Sequence, residues 1–284
     1  MSHGHPNVTA AHTAQDALAA RFQAELDSRA IDVPLLPTVA AEVLSSSLDD
    51  QANAARLAEL IQQDQGLASH LLRVVNSPAF RGNSEIVALQ QAIARLGMER
   101  IREIALTVSL KGTMLQAGPF ESQVSDAWQQ GLRTALWSKE IARAAIKNVE
   151  IAYLCGLLHN VGAPLVINRL AQLDPDLDEA HMLDLARAFT TPAGLLLVEE
   201  WRLPGAVDLT IRFLDDFTAA KNARDNVAVI AAGRLIATQH AQDQLDATHI
   251  LQNAALQHLN FYPDDIEKLL EKASDIALTM ESMA

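Results

Sequence analysis

Cys155-Gly156-Leu157-Leu158-His159-Asn160-Val161-Gly162 closes a stretch, beginning at Ile151, that is apolar almost all round. A helix without a polar face is a buried one. Residues 151–159 are therefore expected to form the central helix of an α-helical core, with His159 and Asn160 at its C-terminal end. An imidazole there is a candidate metal ligand. Its neighbour is a poor one, because hard divalent ions are held chiefly by anionic oxygens and imidazole nitrogens. Asn160 has nearly the shape of aspartate without its charge, and its amide is no base. The bland reading of His159 is a core histidine that donates to a helix carbonyl. Cys155, one turn upstream among apolar neighbours, reads as an inert buried thiol.

Working outward, helical spacing dominates in both directions. A first helix is expected at about residues 13–30, after a tail over residues 1–15 that carries His3, His5 and His12. Leu36-Pro37-Thr38 opens a helix, because proline is pre-organised for a helix start and Thr38 can cap it. Ala54, Leu57, Ala58 and Ile61 repeat at helical spacing up to Asp64, and Gly66 breaks the run before a helix that ends at Asn76. Leu89, Ile93 and Leu96 line another face, Gly97 punctuates it, and Met98 to Leu110 resumes. Residues 116–124, with Gly118 and Pro119, read as a linker. Beyond it come a helix from about Ser125, the central helix, and helices at about 178–189, 192–201, 205–214, 223–240, 247–259 and 263–281. The last is amphipathic, with Ile266, Leu269, Leu270, Ala273, Ile276 and Ala277 on one face. No sustained β alternation appears. The expectation is an all-α protein with a multi-helix lobe over residues 16–115, a second lobe over 125–260 and a C-terminal helix over 261–284.

Composition narrows the function. The chain has 284 residues, 49% of them hydrophobic and only 4% aromatic, with a net charge of −13. That is ample for a core. It disfavours a nucleic-acid partner, since an acidic chain is repelled by phosphate backbones. The single cysteine excludes an internal disulfide and fits a reducing cytoplasm. No membrane span or secretory leader is expected.

Five segments taken in order resemble the HDOD family, an output domain related to the HD phosphohydrolases. They are Leu36-Pro37-Thr38-Val39 with Leu60-Ile61-Gln62-Gln63-Asp64, then Leu71 to Ser77, then Leu89-Gln90-Gln91-Ala92-Ile93 leading to Leu96-Gly97, then Cys155 to Gly162, and finally Glu200-Trp201-Arg202-Leu203-Pro204. The resemblance spans about residues 33–240. It implies an N-terminal helical lobe packed on an HD-like lobe, and a role in bacterial signalling, often downstream of nucleotide second messengers such as cyclic dinucleotides.

In an HD-type site, His and Asp from several helices hold metals that activate water. The positions that the resemblance assigns to those ligands read differently here. Gln130 stands where an early His is expected, and Asn160 where Asp follows His159. Thr190 or Thr191 stands for a later His, Leu214-Asp215 for a His pair, and Gly233 for the distal Asp. One ligand of the set survives, so neither a metal nor another cofactor is expected. The alternative is a hydrolase with a shifted ligand set, for which Asp215, Asp216 and Asp225 would have to converge on His159.

A second candidate surface is Arg95, Arg100 and Arg102 around the Leu96-Gly97 turn, with Arg73 and Arg81 nearby. It could receive an anion, a nucleotide or an acidic partner, or simply pair with Glu99 and Glu103. No receiver, transmitter or cyclase segment is recognisable. The leading expectation is thus a non-catalytic cytoplasmic regulator that signals by binding a protein partner, with homodimerisation through the last helix as a further option. The alternatives are a degenerate HD-type hydrolase and a nucleotide- or nucleic-acid-binding regulator.

Overall fold

In the computed structural model of the chain, residues 7–45, 50–80, 82, 84–115 and 118–283 are described, and every regular element among them is helical. The first lobe holds α2 (Thr38–Ser45), α3 (Asp50–Gln63), α4 (Gln65–Val75), α5 (Leu89–Leu96) and α6 (Met98–Met114), after an opening helix α1 (Asn7–Asp27). The second lobe holds α7 (Glu121–Ala144), α8 (Val149–Leu158), α9 (Gly162–Leu173), α10 (Glu179–Glu200), α11 (Gly205–Phe213), a 3-10 turn over Phe217–Ala223, and α12 (Arg224–Ala241). Four short helices follow: α13 (Ala247–Leu251), α14 (Ala254–His258), α15 (Pro263–Leu270) and α16 (Ala273–Met283).

Polar caps set many of the starts. Asp64 accepts from the Leu67 amide at 2.9 Å, Asn148 from Ile151 at 2.8 Å and Asp178 from His181 at 3.1 Å. Each satisfies an amide that a first helical turn leaves open. Gly97 separates α5 from α6 with φ at 79°, a left-handed backbone that glycine adopts without strain.

The all-α architecture agrees with the sequence reading, and several boundaries do not. The first helix starts at Asn7, so residues 7–15 of the expected tail are helical, while residues 1–6 lie outside the described ones. α1 also belongs by its contacts to the second lobe: Phe22 stacks on Phe189 of α10 with ring centroids 4.8 Å apart, and Glu25 meets Arg169 of α9 at 2.7 Å. α7 begins at Glu121, so the end of the expected linker is its first turn. The two helices expected at 178–189 and 192–201 are one, α10, running through Pro192. Proline removes one backbone bond, but packing holds the helix across the gap. α9 lies so close to α10 that a side chain on Gly162 would collide with the Thr190 carbonyl and come within 2.5 Å of the Gly194 amide. In contrast, the segment at 247–259 is two helices, because Asn253 accepts from the Ala255 and Leu256 amides and so starts a new one. The C-terminal segment likewise divides into α15 and α16.

α7, α8 and α12 form the centre, where Trp137, Ile141, Tyr153 and Leu157 are fully buried. One continuous apolar cluster runs from this centre into the first lobe. α16 spans the joint, packing on α6 and α7 and bonding Ser282 to Ser77 of the first lobe at 2.7 Å. The stretch Val149–Leu173 is long and apolar enough to cross a membrane by length and composition alone, yet it is mostly buried inside the protein. It is also broken between α8 and α9 at residues 159–161.

Candidate functional site

The His-Asn pair sits where α8 ends against α7. His159 is the C-cap of α8 and only 7% exposed. Its Nδ1–H donates to the Gly156 carbonyl at 2.7 Å. That bond consumes one ring nitrogen and leaves Nε2 as the acceptor. Burial pushes the His159 imidazole down to about 4, the Arg234 guanidinium adds to the shift, and the Gly156 carbonyl and the Asp215 carboxylate oppose it. The ring is therefore neutral at pH 7.

Asn160 is used as a donor. Its Nδ2 donates to the Ala127 carbonyl of α7 at 2.8 Å, which a carboxylate could not do. The helices cross tightly here. A Cβ on Gly131 would lie 2.9 Å from the Leu157 carbonyl and 3.0 Å from Asn160 Oδ1, and one on Gly156 would lie 2.6 Å from the Ala135 Cα. The neutral amide thus closes a helix crossing, with its donor spent on the neighbouring helix.

The companion positions are engaged in the same way. Gln130 donates to the Thr238 hydroxyl at 3.0 Å. Thr190 returns its hydroxyl to the Ala186 carbonyl at 2.7 Å, while its own carbonyl packs against Gly162; Thr191 is exposed. Leu214 is buried. Asp215 is exposed and paired with Arg234 at 2.6 Å. Gly233 abuts α7 so closely that a side chain there would collide with the Ser138 hydroxyl and come within 3.0 Å of the Ser138 amide. An aspartate at that position would have to displace the Ser138 side chain and press on the α7 backbone.

The other candidate acids are committed elsewhere. Asp216 caps the following turn by accepting from the Thr218 amide at 3.2 Å. Asp225 is held by Lys147 at 2.6 Å and His258 at 2.8 Å, and those two partners keep its carboxyl below the usual range. Among the described residues, no three His, Cys, Asp or Glu side chains gather at metal-holding distances. The donor set at His159 amounts to one imidazole nitrogen, the neutral amide oxygen of Asn160, and the Asp215 carboxylate already paired with the Arg234 guanidinium. Such a set does not fit a catalytic divalent ion, which needs several anionic or imidazole ligands with a position left open. Cys155 is buried, receives the Asn226 amide on its sulfur at 3.7 Å, and burial pushes its thiol up.

The arginines do not converge on one patch. Arg95 donates to the Ser84 carbonyl at 2.7 Å. Arg100 pairs with Glu103 at 3.3 Å and lies over the Phe80 ring. Arg102 is nearly buried and pairs with Glu99 at 2.7 Å. Arg81, like His3 and His5, lies outside the described residues.

One polar cluster was not visible in the sequence. Lys139 of α7 meets Glu103 of α6 at 2.5 and 2.6 Å, with both side chains at most 10% exposed. Beside them Tyr153 shares a 2.7 Å bond with Thr107. This buried network joins the two lobes. A lysine at a central position of an otherwise apolar face of α7 was the available signal, since buried charges must be paired.

The sequence profile of the HDOD domain matches residues 33–217. An uncharacterized protein of Treponema pallidum (strain Nichols) is 29% identical over 205 residues, which cover 68% of this chain and 39% of that relative. This chain therefore matches about two fifths of that relative's length. Among solved structures, an HDOD domain protein of unknown function from Geobacter sulfurreducens superposes with a TM-score of 0.71 at 20% identity, covering 95% of this chain and 97% of that one. A protein of Shewanella amazonensis SB2B described as a metal-dependent phosphohydrolase gives 0.70 at 19% identity, with 95% and 99% covered. One from Marinobacter aquaeolei VT8 described as a signal transduction protein gives 0.68 at 19%, with 95% and 66% covered. At such identities the structural likeness is one of fold. With the profile matched across most of the chain and its motifs placed on the helices described above, the protein belongs to the HDOD domain family.

Proposed function

We propose that this protein is a non-catalytic signal-transduction regulator that works in the cytoplasm by presenting the surfaces of its HDOD domain to a protein partner. The observation that carries the reading is the employment of the former ligand positions in packing. Asn160 donates to the Ala127 carbonyl, and Gly233 admits Ser138 against its backbone. A site that has exchanged anionic ligands for helix-crossing contacts gains stability, since unpaired carboxylates are costly to bury. The HDOD family membership and the fold shared with a protein described as a signal transduction protein support the regulatory role. The net charge of −13, the ion pairs of Arg100 and Arg102 and the bond from Arg95 to the Ser84 carbonyl speak against a nucleic-acid partner.

The competing reading is a hydrolase, because the same fold occurs in a protein described as a metal-dependent phosphohydrolase. Affinity capture from the native cell, followed by mass spectrometry, tests the first reading. A partner captured by the parent and by His159→Gln alike supports it. Phosphoester or cyclic-dinucleotide turnover by metal-loaded protein, lost in His159→Ala, would establish the second instead.

A further inference from the structure

His240, in the last turn of α12, receives a hydrogen bond from the fully buried Trp137 of α7. The indole Nε1 donates to Nδ1 of His240 at 3.1 Å, with the two rings edge-on and their centroids 5.5 Å apart. An indole can only donate. Nδ1 of His240 must therefore carry a lone pair, and the ring holds its proton on Nε2. An imidazolium has two N–H groups and no acceptor. A second proton on His240 sets N–H against N–H and leaves the buried indole donor unsatisfied, a costly arrangement.

The ring is poised between opposing influences. It is half-buried, within reach of solvent protons. Burial and the Arg133 guanidinium of α7 hold its imidazole below the ordinary value, while Asp243, just past the helix end, opposes them. Arg133 is itself faced by Asp126 of α7. The carbonyl end of α12 likewise favours a cation. The preceding residue links this helix end to the C-terminal helices. Gln239, buried beside His240, accepts from the Asp246 amide at 3.0 Å and donates from Nε2 to Nδ1 of His249 in α13 at 2.5 Å. α13 packs on α15, α15 and α16 pack on α7, and α16 reaches α6 of the first lobe. The last turn of α12 thus anchors the segment that spans the two lobes.

We propose that His240 is a proton-operated latch, whose protonation turns the Trp137 bond into a clash of donors and frees the end of α12, with the C-terminal helices anchored on it, from α7. The released form takes up its proton at the ordinary histidine value of about 6.5, the latched form only below it. The latch therefore holds above about 6.5 and loosens as pH falls through that value toward the lowered one. It operates whether or not the protein is catalytic.

Hydrogen exchange in the protein, read by mass spectrometry at pH 7.5 and 5.5 and corrected for the intrinsic pH dependence of exchange, tests it. His159, with its folded value of about 4, stays neutral at both. Residues 239–283 should lose protection at least about fivefold at the lower pH, the equivalent of one hydrogen bond, while α8 and α9 hold theirs. His240→Asn, whose Oδ1 can accept from Trp137 and takes up no proton, should lose less than about twofold. Histidine ring proton spectra give an independent reading. Trp137→Phe removes the donor that favours the neutral ring, so the His240 midpoint should rise by at least about half a pH unit. The proposal is overturned if residues 239–283 keep their protection at pH 5.5, if α8 and α9 lose theirs equally, if His240→Asn retains the pH response of the parent, or if Trp137→Phe leaves the His240 midpoint unmoved.

Discussion

Asn160→Asp restores the charge that an HD-type metal site would carry and is the sharpest perturbation of the packing account. In the parent, Nδ2 donates to the Ala127 carbonyl at 2.8 Å across the α7–α8 crossing. The variant loses that bond, worth about 1 kcal/mol net. It also sets a carboxylate oxygen against a carbonyl oxygen at a half-buried position, a repulsion and desolvation cost of about 1–2 kcal/mol. The total at pH 7.5 is about 2–3 kcal/mol, which for a chain of this size lowers the melting temperature by at least about 4 °C. Protonation restores a donor, so the folded state raises the pKa of the new carboxyl. The penalty is present above that raised value and is relieved as pH falls through it. Urea unfolding of parent and variant, compared at pH 7.5 and 4.5, reads this directly, and the His159 contribution largely cancels in the difference. The gap should shrink to about 1 kcal/mol at the lower pH. A variant as stable as the parent at pH 7.5, or one that acquires a stoichiometric metal ion, would refute the reasoning.

Three further outcomes follow from the same contacts. Gly233→Asp should fail to give a soluble folded protein, or lose more than about 3 kcal/mol, because α12 would be forced from Ser138; expression and circular dichroism decide it. Lys139→Met leaves the buried Glu103 carboxylate only its 3.3 Å pairing with Arg100 and should cost up to about 3 kcal/mol in urea unfolding, with much of it recovered by the double variant Glu103→Leu/Lys139→Met. His159 titrates at about 4 when folded, below an unfolded value of about 6.5. The folded state then binds fewer protons than the unfolded one between those values. Its contribution is fully present above about 6.5 and is lost as pH falls toward about 4, at most about 3 kcal/mol. His159→Gln should remove that share of the acid sensitivity.

Much of the architecture was legible from local chemistry. The all-round apolar run at Ile151 to Leu158 announced the buried helix, and Gly97 and Pro37 marked real boundaries. Where the reading slipped, long-range contacts outweighed local signals. Pro192 reads as a helix break, but α9 packed through Gly162 carries α10 across it. α9 itself, from Gly162 to Leu173, was not among the expected helices. α1 was grouped with the lobe that follows it, though Phe22 packs on Phe189, far along the chain. At the site, it was the family resemblance that singled out Gln130, Asn160 and Gly233 as positions where it would assign metal ligands. Their present employment could not be read from the sequence, because a hydrogen bond from Asn160 to Ala127 or a close approach of Gly233 to Ser138 exists only once three helices cross. The pairing of Asp215 with Arg234 is hidden for the same reason.

The central claim, that the HD-like region has been rebuilt for packing and holds no catalytic metal, is tested most directly by titrating the purified protein with Mn2+ in a calorimeter. Phosphoester turnover is assayed on the same samples, parent beside His159→Ala. The account predicts no stoichiometric binding that depends on His159, and no turnover in either protein. One ion bound per chain, with turnover that His159→Ala abolishes, would contradict it.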